Sequence, residues 1–446
     1  MAQGDRRVVL TGLGPISAAG VGIDPLWEAM SSGASAIKRI EVFDPSGFES
    51  KHAGFLSPDA FKVRDYVPKS YRKATKVMAR DIELAVGAAA EAIRHAGIFT
   101  KASEDEEPTI SPARMGCHIG AGLIAADVDE LTAALVKSCD EDGAFDIGEW
   151  GRAGMGNLTP LWLLKYLPNM LACHVTIIHD CQGPSNTITC AESSGTLSIG
   201  ESMRVIRRGA ADACLSGGCD SKVNPMAFLR QELAGRLVSS DDDAEASGLV
   251  KPFADDAAGA FVGEGGGIMV LEAHETAIAR GATPLVELAG FAATQSVCPD
   301  TVGRVFADDD ESVADAIRFA LADAGLEPDD IDGVIPFGSG IPAMDRADRT
   351  AIESVFGERA SDLPLVMPIP YVGNCGAGAG GISIAVAARC IQEQKIPARI
   401  NTQGVEGLNA NASECEEASI RAMVVFTTSL GGHNAAVVLR RIEGEG

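Results

Sequence analysis

Apolar positions along the chain come in two periods. Val8-Val9-Leu10 predicts a short buried strand, ended by the Gly-rich turn Thr11-Gly12-Leu13-Gly14. From Lys76 to His95, the residues Met78, Ile82, Ala85, Ala89 and Ile93 share one helical face, and Gly97 follows as a C-cap. Ser312 predicts the N-cap of a second helix of this kind, Val313 to Ala324, closed by Gly325. Strands alternating with helices predict an α/β layered fold. Three polar or acidic stretches predict solvated surface loops: Ser103 to Pro112, Ser138 to Asn157 and Ser239 to Gly248.

The pattern also repeats. Ser194-Gly195-Thr196-Leu197-Ser198-Ile199-Gly200 opens a helix running to about Arg208, and Gly380-Gly381-Ile382-Ser383-Ile384-Ala385 opens another running to about Gln392. Each follows a turn of small residues. Upstream, His118-Ile119-Gly120-Ala121-Gly122 echoes Pro336-Phe337-Gly338-Ser339-Gly340. The spacing predicts a tandem duplication with halves meeting near residue 270.

Composition narrows the function classes. The 446 residues carry 37 Lys and Arg against 62 Asp and Glu, a net charge of −25. Such a chain is a poor match for nucleic acid or an anionic membrane surface. Apolar residues make up 46%, enough for a large core. No apolar run reaches the ~18 residues of a membrane span, and the N-terminal stretch is too short and broken for a signal peptide. The eleven cysteines form no CxxC pair. They read as reduced thiols of a cytoplasmic protein, without a zinc site or disulfide framework. Neither a metal nor an organic cofactor is expected.

One segment carries the candidate chemistry. In Gly183 to Gly195, a β-rich run breaks into a tight turn and a helix starts at once. This is the layout of a nucleophile elbow. Its turn residue sits where unpaired N–H groups and the helix dipole favour an anion. A Cys there would be an activated thiolate. Here the residue is Glu192.

At this point the chain resembles the β-ketoacyl–acyl-carrier-protein synthases, KAS II-like condensing enzymes of the thiolase superfamily. The resemblance rests on the opening Arg6-Arg7-Val8-Val9-Leu10-Thr11-Gly12-Leu13-Gly14, on Gly183-Pro184-Ser185, and on Gly209-Ala210-Ala211-Asp212 with Ser216-Gly217-Gly218. It continues through Pro252-Phe253, Gly263-Glu264-Gly265-Gly266-Gly267 and Gly431-Gly432 with Asn434. It implies a thiolase-like fold of two duplicated αβαβα halves in five layers, spanning 1–268 (with an insertion near 138–157) and 269–446. It also implies a dimer, with a copy of itself or with an active sister synthase. The implied ligand is an acyl chain on the phosphopantetheine arm of an acyl carrier protein, in fatty-acid or polyketide biosynthesis.

The family's chemistry uses a Cys nucleophile, two His residues and a Lys. Matching motif by motif, the Cys position holds Glu192, the His positions hold Phe337 and Asn374, and the Lys position holds Ile369. The turn Phe that gates the family's pocket is Leu430, followed by Gly431, and the Thr before the matching Asn is His433. Phe337 carries no proton donor, and Asn374 offers one amide. The expected pocket lining is Glu192, Phe337, Asn374 and Leu430, with His433 placed to pair with Glu192 across it. Lys69, Arg72 and Lys73 resemble the family's basic patch for carrier docking, which would steer an acidic partner. Cys190, Cys181 and Cys375 read as buried structural thiols. His118, His174 and His179 read as structural, and Glu264 reads as a hydrogen-bond acceptor.

Three readings follow. The chain is a non-condensing, chain-length-factor-like subunit that shapes an acyl tunnel beside an active synthase. Alternatively it decarboxylates malonyl-carrier, with Glu192, Asn374 and backbone N–H groups. A third reading makes Glu192 a general base with His433 in another acyl transfer or hydrolysis, which needs a raised Glu pKa where a helix N-terminus lowers it.

Overall fold

A computed structural model describes residues 6–299, 306–307 and 310–442. Its principal elements, in chain order, are β1 (Val8–Ser17), α1 (Arg80–Ala96), β2 (Met115–Ala121), α2 (Met170–His179), β3 (Ser185–Ile188), α3 (Ser194–Arg207), β4 (Ala213–Ser221) and β5 (Glu264–Ala273). The second half supplies β6 (Val286–Gln295), α4 (Ser312–Ala324), β7 (Gly333–Ile335), α5 (Pro342–Phe356), α6 (Ala379–Glu393), β8 (Ala422–Thr428) and β9 (His433–Arg440).

Strand order makes the duplication concrete. The first half pairs as β3-β2-β4-β5-β1 and the second as β7-β8-β9-β6. Numbering strands within each half, the first order is 3-2-4-5-1. The second is 2-4-5-1, its third strand reduced to the single parallel bridge Val334–Leu365. The two sets join where β1 pairs β6 through Val9–Glu287 and Leu10–Val286.

Side-chain alternation along the strands builds the layers. On β5, Met269 and Leu271 face a central core shared with Ile199 and Met203 of α3 and Ile382 and Val386 of α6. Ile268 and Val270 face the opposite way, onto α1 and α2. On β9, Val437 and Leu439 join the central core, while Val438 packs against α4 and α5. Helices α3 and α6 therefore lie between the two strand sets, whose outer faces carry α1 with α2 and α4 with α5. These are five layers of a thiolase-like α/β fold. The division expected at 268/269 falls inside β5, and the first strand set extends to Ala273.

Two helix ends follow the sequence. Gly97 and Gly325 adopt left-handed conformations, φ 62° and 66°, and close α1 and α4. Helix α1 begins at Arg80 rather than Lys76, because Ala74–Val77 forms a separate 3₁₀ turn. Ser312 is the first residue of α4, and Glu311 occupies its N-cap. The Gly-rich turn predicted after Leu10 does not form. Strand β1 runs straight through it to Ser17 with a bulge between Leu10 and Gly12. A Cβ on Gly14 would stand 2.1 Å from the Ala88 carbonyl oxygen, so glycine lets α1 lie directly on the strand. The segment 138–157 is surface, as expected, but ordered into short turns, among them Ile147–Glu149 and Trp150–Gly154.

Candidate functional site

After β3, Ala191 takes φ 47°, a left-handed conformation that an L-residue with a Cβ adopts only under strain. The turn is braced by Ser194, whose Oγ accepts from Cys190 N at 2.8 Å and donates to Ala191 O at 2.6 Å. Ser193 Oγ donates to the carbonyl oxygens of His433 (2.7 Å) and Thr427 (3.2 Å), pinning the elbow to the ends of β8 and β9. Glu192 emerges buried at the head of α3.

Its carboxylate is fully engaged. Glu192 Oε1 lies 2.7 Å from Arg236 Nη2, and both side chains are about 95% buried. Leu430 N donates to Oε2 at 3.1 Å. Gly431 and Gly432, with φ 94° and 83°, form the turn that brings this N–H inward. Burial pushes the Glu192 pKa up. The Arg236 charge, the residue's own N–H and the Leu430 N–H outweigh it and hold the carboxyl below the usual carboxylate range. Arg236 Nη2 also reaches Met344 Sδ at 3.3 Å.

Glu192, Arg236 and Leu430 line a cavity of 470 Å³. Lys222, Asp220 and Arg230 line it as well, and Leu123, Pro168 and Ala227 make it partly apolar. Lys222 Nζ is 2.7 Å from Asp220 Oδ1, and Ala377 N donates to Oδ2 at 3.0 Å. Burial, and then the Asp220 charge, push the neighbouring Asp81 carboxyl well up.

The other expected site residues are placed differently. Phe337 and Ile369 are buried together against Phe261, Ile341 and Met344, outside the cavity lining. Asn374 is buried too, and its Oδ1 accepts from Gly376 N at 2.9 Å, so it braces the turn rather than facing the cavity. His433 does not pair with Glu192. It starts β9, its Nδ1 is buried without a hydrogen-bond partner among the described residues, and Arg236 takes the place expected for it. Cys190 is half-buried rather than buried, and burial raises its pKa, so it is no thiolate. Cys181 and Cys375 are buried.

The structural histidines each bond a hydroxyl through Nδ1 at 2.9 Å: His118 to Ser202, His174 to Tyr71 and His179 to Thr100. Glu264 accepts from Arg80 at 2.7 and 3.0 Å and from Leu56 N at 3.1 Å. Lys69, Arg72 and Lys73 are exposed, with no ion pair among the described residues. Tyr71, between them, anchors the segment to α2 through His174.

Sequence reasoning missed Arg236, Lys222 and two buried aspartates. Asp345 accepts from Phe253 N (2.8 Å), Ser339 N (2.9 Å) and Gly340 N (3.0 Å). Asp348 accepts from Gly338 N (2.9 Å) and the Thr428 hydroxyl (3.2 Å). Together they hold the loop carrying Phe337 against the end of β8. Burial raises Asp345 to about 6, against the pull of its hydrogen bonds.

A duplicated half-fold, with an elbow at the head of the shared helix layer, defines a thiolase-like protein. Residues 5–277 match the β-ketoacyl synthase N-terminal domain and 286–403 the C-terminal domain. The chain belongs to the β-ketoacyl synthase family. It is 28% identical to 3-oxoacyl-[acyl-carrier-protein] synthase 2 of Staphylococcus aureus, over 98% of this chain and 99% of that one. It is 27% identical to the actinorhodin polyketide putative β-ketoacyl synthase 1 of Streptomyces coelicolor, over 99% and 90%. Among solved structures, the ishigamide ketosynthase/chain length factor superimposes with a TM-score of 0.81 at 25% identity, over 98% of this chain and all of that one. A β-ketoacyl synthase from Burkholderia phymatum gives 0.81 at 26%, over 98% of this chain.

Proposed function

We propose that this chain is a non-condensing, chain-length-factor-like subunit of a fatty-acid- or polyketide-type assembly, working beside an active synthase on acyl carrier protein. The observation that carries the reading is the Glu192 carboxylate. It takes up the elbow N–H and the Leu430 N–H, the two donors that would meet an oxyanion formed at this turn, and Arg236 clamps it there. A carboxylate already ionised and spent on three partners is a poor base and a poorer nucleophile. Phe337 and Ile369 add no donor, which also weighs against the decarboxylase reading.

The cavity beside Glu192 remains, and a subunit that shapes an acyl tunnel needs space rather than chemistry. Strand β3 lies at the free edge of the sheet, with Ser185 and Asn186 exposed. That unpaired edge supports pairing with a second subunit. Lys69, Arg72 and Lys73 supply the surface for an acidic carrier.

Reconstitution tests this. Co-expressed with a Cys-bearing synthase from its own gene neighbourhood, the chain is expected to form a one-to-one heteromer by native mass spectrometry and to alter product length when Ala227 or Leu123 is enlarged. Ketoacyl product from the chain alone would refute it.

A further inference from the structure

One wall of the cavity beside Glu192 comes from the helix Pro225–Leu233, which follows β4. The helix starts there because Pro225 suits a first helical position and Asn224 caps it, its Oδ1 accepting from Ala227 N at 2.9 Å. Ala227, Arg230, Gln231 and Ala234 all line the cavity. Residues three and four apart are neighbours on a helix, so these four share one face. That face offers a cation and an amide, while Leu123, Pro168 and Leu430 supply apolar surface to the same cavity.

The charges of the lining do not cancel. Glu192 is matched by Arg236 and Asp220 by Lys222, each at 2.7 Å. Arg230 is left over: it is exposed, and its guanidinium has no ion pair or hydrogen bond among the described residues. The Gln231 amide has no hydrogen bond among them either. Arg236 is only 4% exposed, and a single nitrogen, Nη2, makes both its contacts, to Glu192 Oε1 and to Met344 Sδ at 3.3 Å. A guanidinium has five N–H donors, so Nε and Nη1 keep donors with no hydrogen bond among the described residues. Asp81, beside Asp220, brings no offsetting charge, because burial and then the Asp220 carboxylate favour its neutral form.

Resting on the tunnel role proposed above, we infer that this cavity takes an acyl chain that carries a carboxylate. The chain's methylenes lie against Leu123, Pro168 and Leu430, and its carboxylate meets Arg230, with the Gln231 amide and the unused N–H groups of Arg236 in the same lining. A guanidinium fork takes both oxygens of a carboxylate at once. A chain ending in a methyl group leaves these donors unmatched, so the cavity discriminates between the two.

Calorimetric titration of the full chain with two pantetheine thioesters of equal carbon number, adipoyl and hexanoyl, tests the inference. The adipoyl thioester is expected to bind at least about tenfold more tightly, the scale of one hydrogen bond to a charged group. In Arg230→Gln that preference should fall to near parity. Arg230→Lys should keep part of it, since the charge stays and the fork is lost. Arg230 is exposed, and a thermal melt checks that both variants fold. Equal binding of the two thioesters, or a preference unchanged in Arg230→Gln, would overturn the inference and leave the tunnel role standing. Binding of neither would overturn both. Free adipate bound as tightly as its thioester would also overturn the inference, since the occupant would then be a free acid and not an acyl chain.

Discussion

At the scale of single residues, the elbow turns on one ion pair. Removing Arg236 leaves a buried carboxylate uncompensated, so Arg236→Ala should lower stability by about 3–5 kcal/mol in urea unfolding. Adding Glu192→Gln should recover part of that loss, because the remaining group is neutral. The pH dependence has a definite sign. The folded pKa of Glu192 lies below the ordinary 4.5, so its contribution is present above that value and is lost as pH falls through the folded pKa. Melting temperatures followed from neutral pH downward should fall less steeply in Glu192→Gln than in the parent below about pH 4.5. Glu192 was legible in the sequence because a β-run, a tight turn and a helix start mark an elbow without help from elsewhere. Arg236 was not, since it follows Gly235 in an unremarkable stretch and meets Glu192 only once the fold is closed. His433 failed as its partner for the same reason: position in a motif does not say which way a side chain points.

Elements show a similar division. The ends of α1 and α4 could be read because a left-handed C-cap is a local event and glycine marks it. Gly12 and Gly14 misled because glycine marks turns and close approaches alike, and the helix pressed against β1 lies some seventy-five residues further on. Gly14→Ala should therefore cost about 3 kcal/mol, the upper part of the overpacking range, since the obstacle is backbone and not a movable side chain. The loop carrying Phe337 has its own signature. Asp345 sits at about 6 when folded, above its ordinary 3.8. Its contribution is therefore greatest below 3.8 and is lost as pH rises through 6. Melting temperature compared between parent and Asp345→Asn should show the parent losing ground across that window. The third strand of the second half, shrunk to one bridge, left no periodic trace, whereas the echo between the helices of the two halves did.

For the whole molecule, charge and shape set the partners. A chain at −25 repels an acidic carrier on average, so under the proposed function approach would depend on the local patch at Lys69, Arg72 and Lys73. Reversing those three to Glu should slow carrier association by about tenfold at low salt and much less at high salt, measured by surface-based kinetics. The same net charge sets two copies of this chain against each other, which under the proposed function would favour a less acidic partner at the β3 edge. The duplication was readable from the chain's own echo, and the five layers only through the family resemblance that many short signatures in one order carry. The cavity was not, because its cations Lys222, Arg230 and Arg236 come from the stretch just after β4, ahead of the Pro252-Phe253 motif.

The central claim is that Glu192 fills the elbow's donors and leaves the chain without chemistry on a carrier-bound acyl group. Intact mass spectrometry of malonyl-carrier protein, incubated with the purified chain with and without acyl-carrier protein, tests it most directly. The carrier mass should not change. Loss of CO2 that disappears in Glu192→Ala, or a ketoacyl product, would contradict the account.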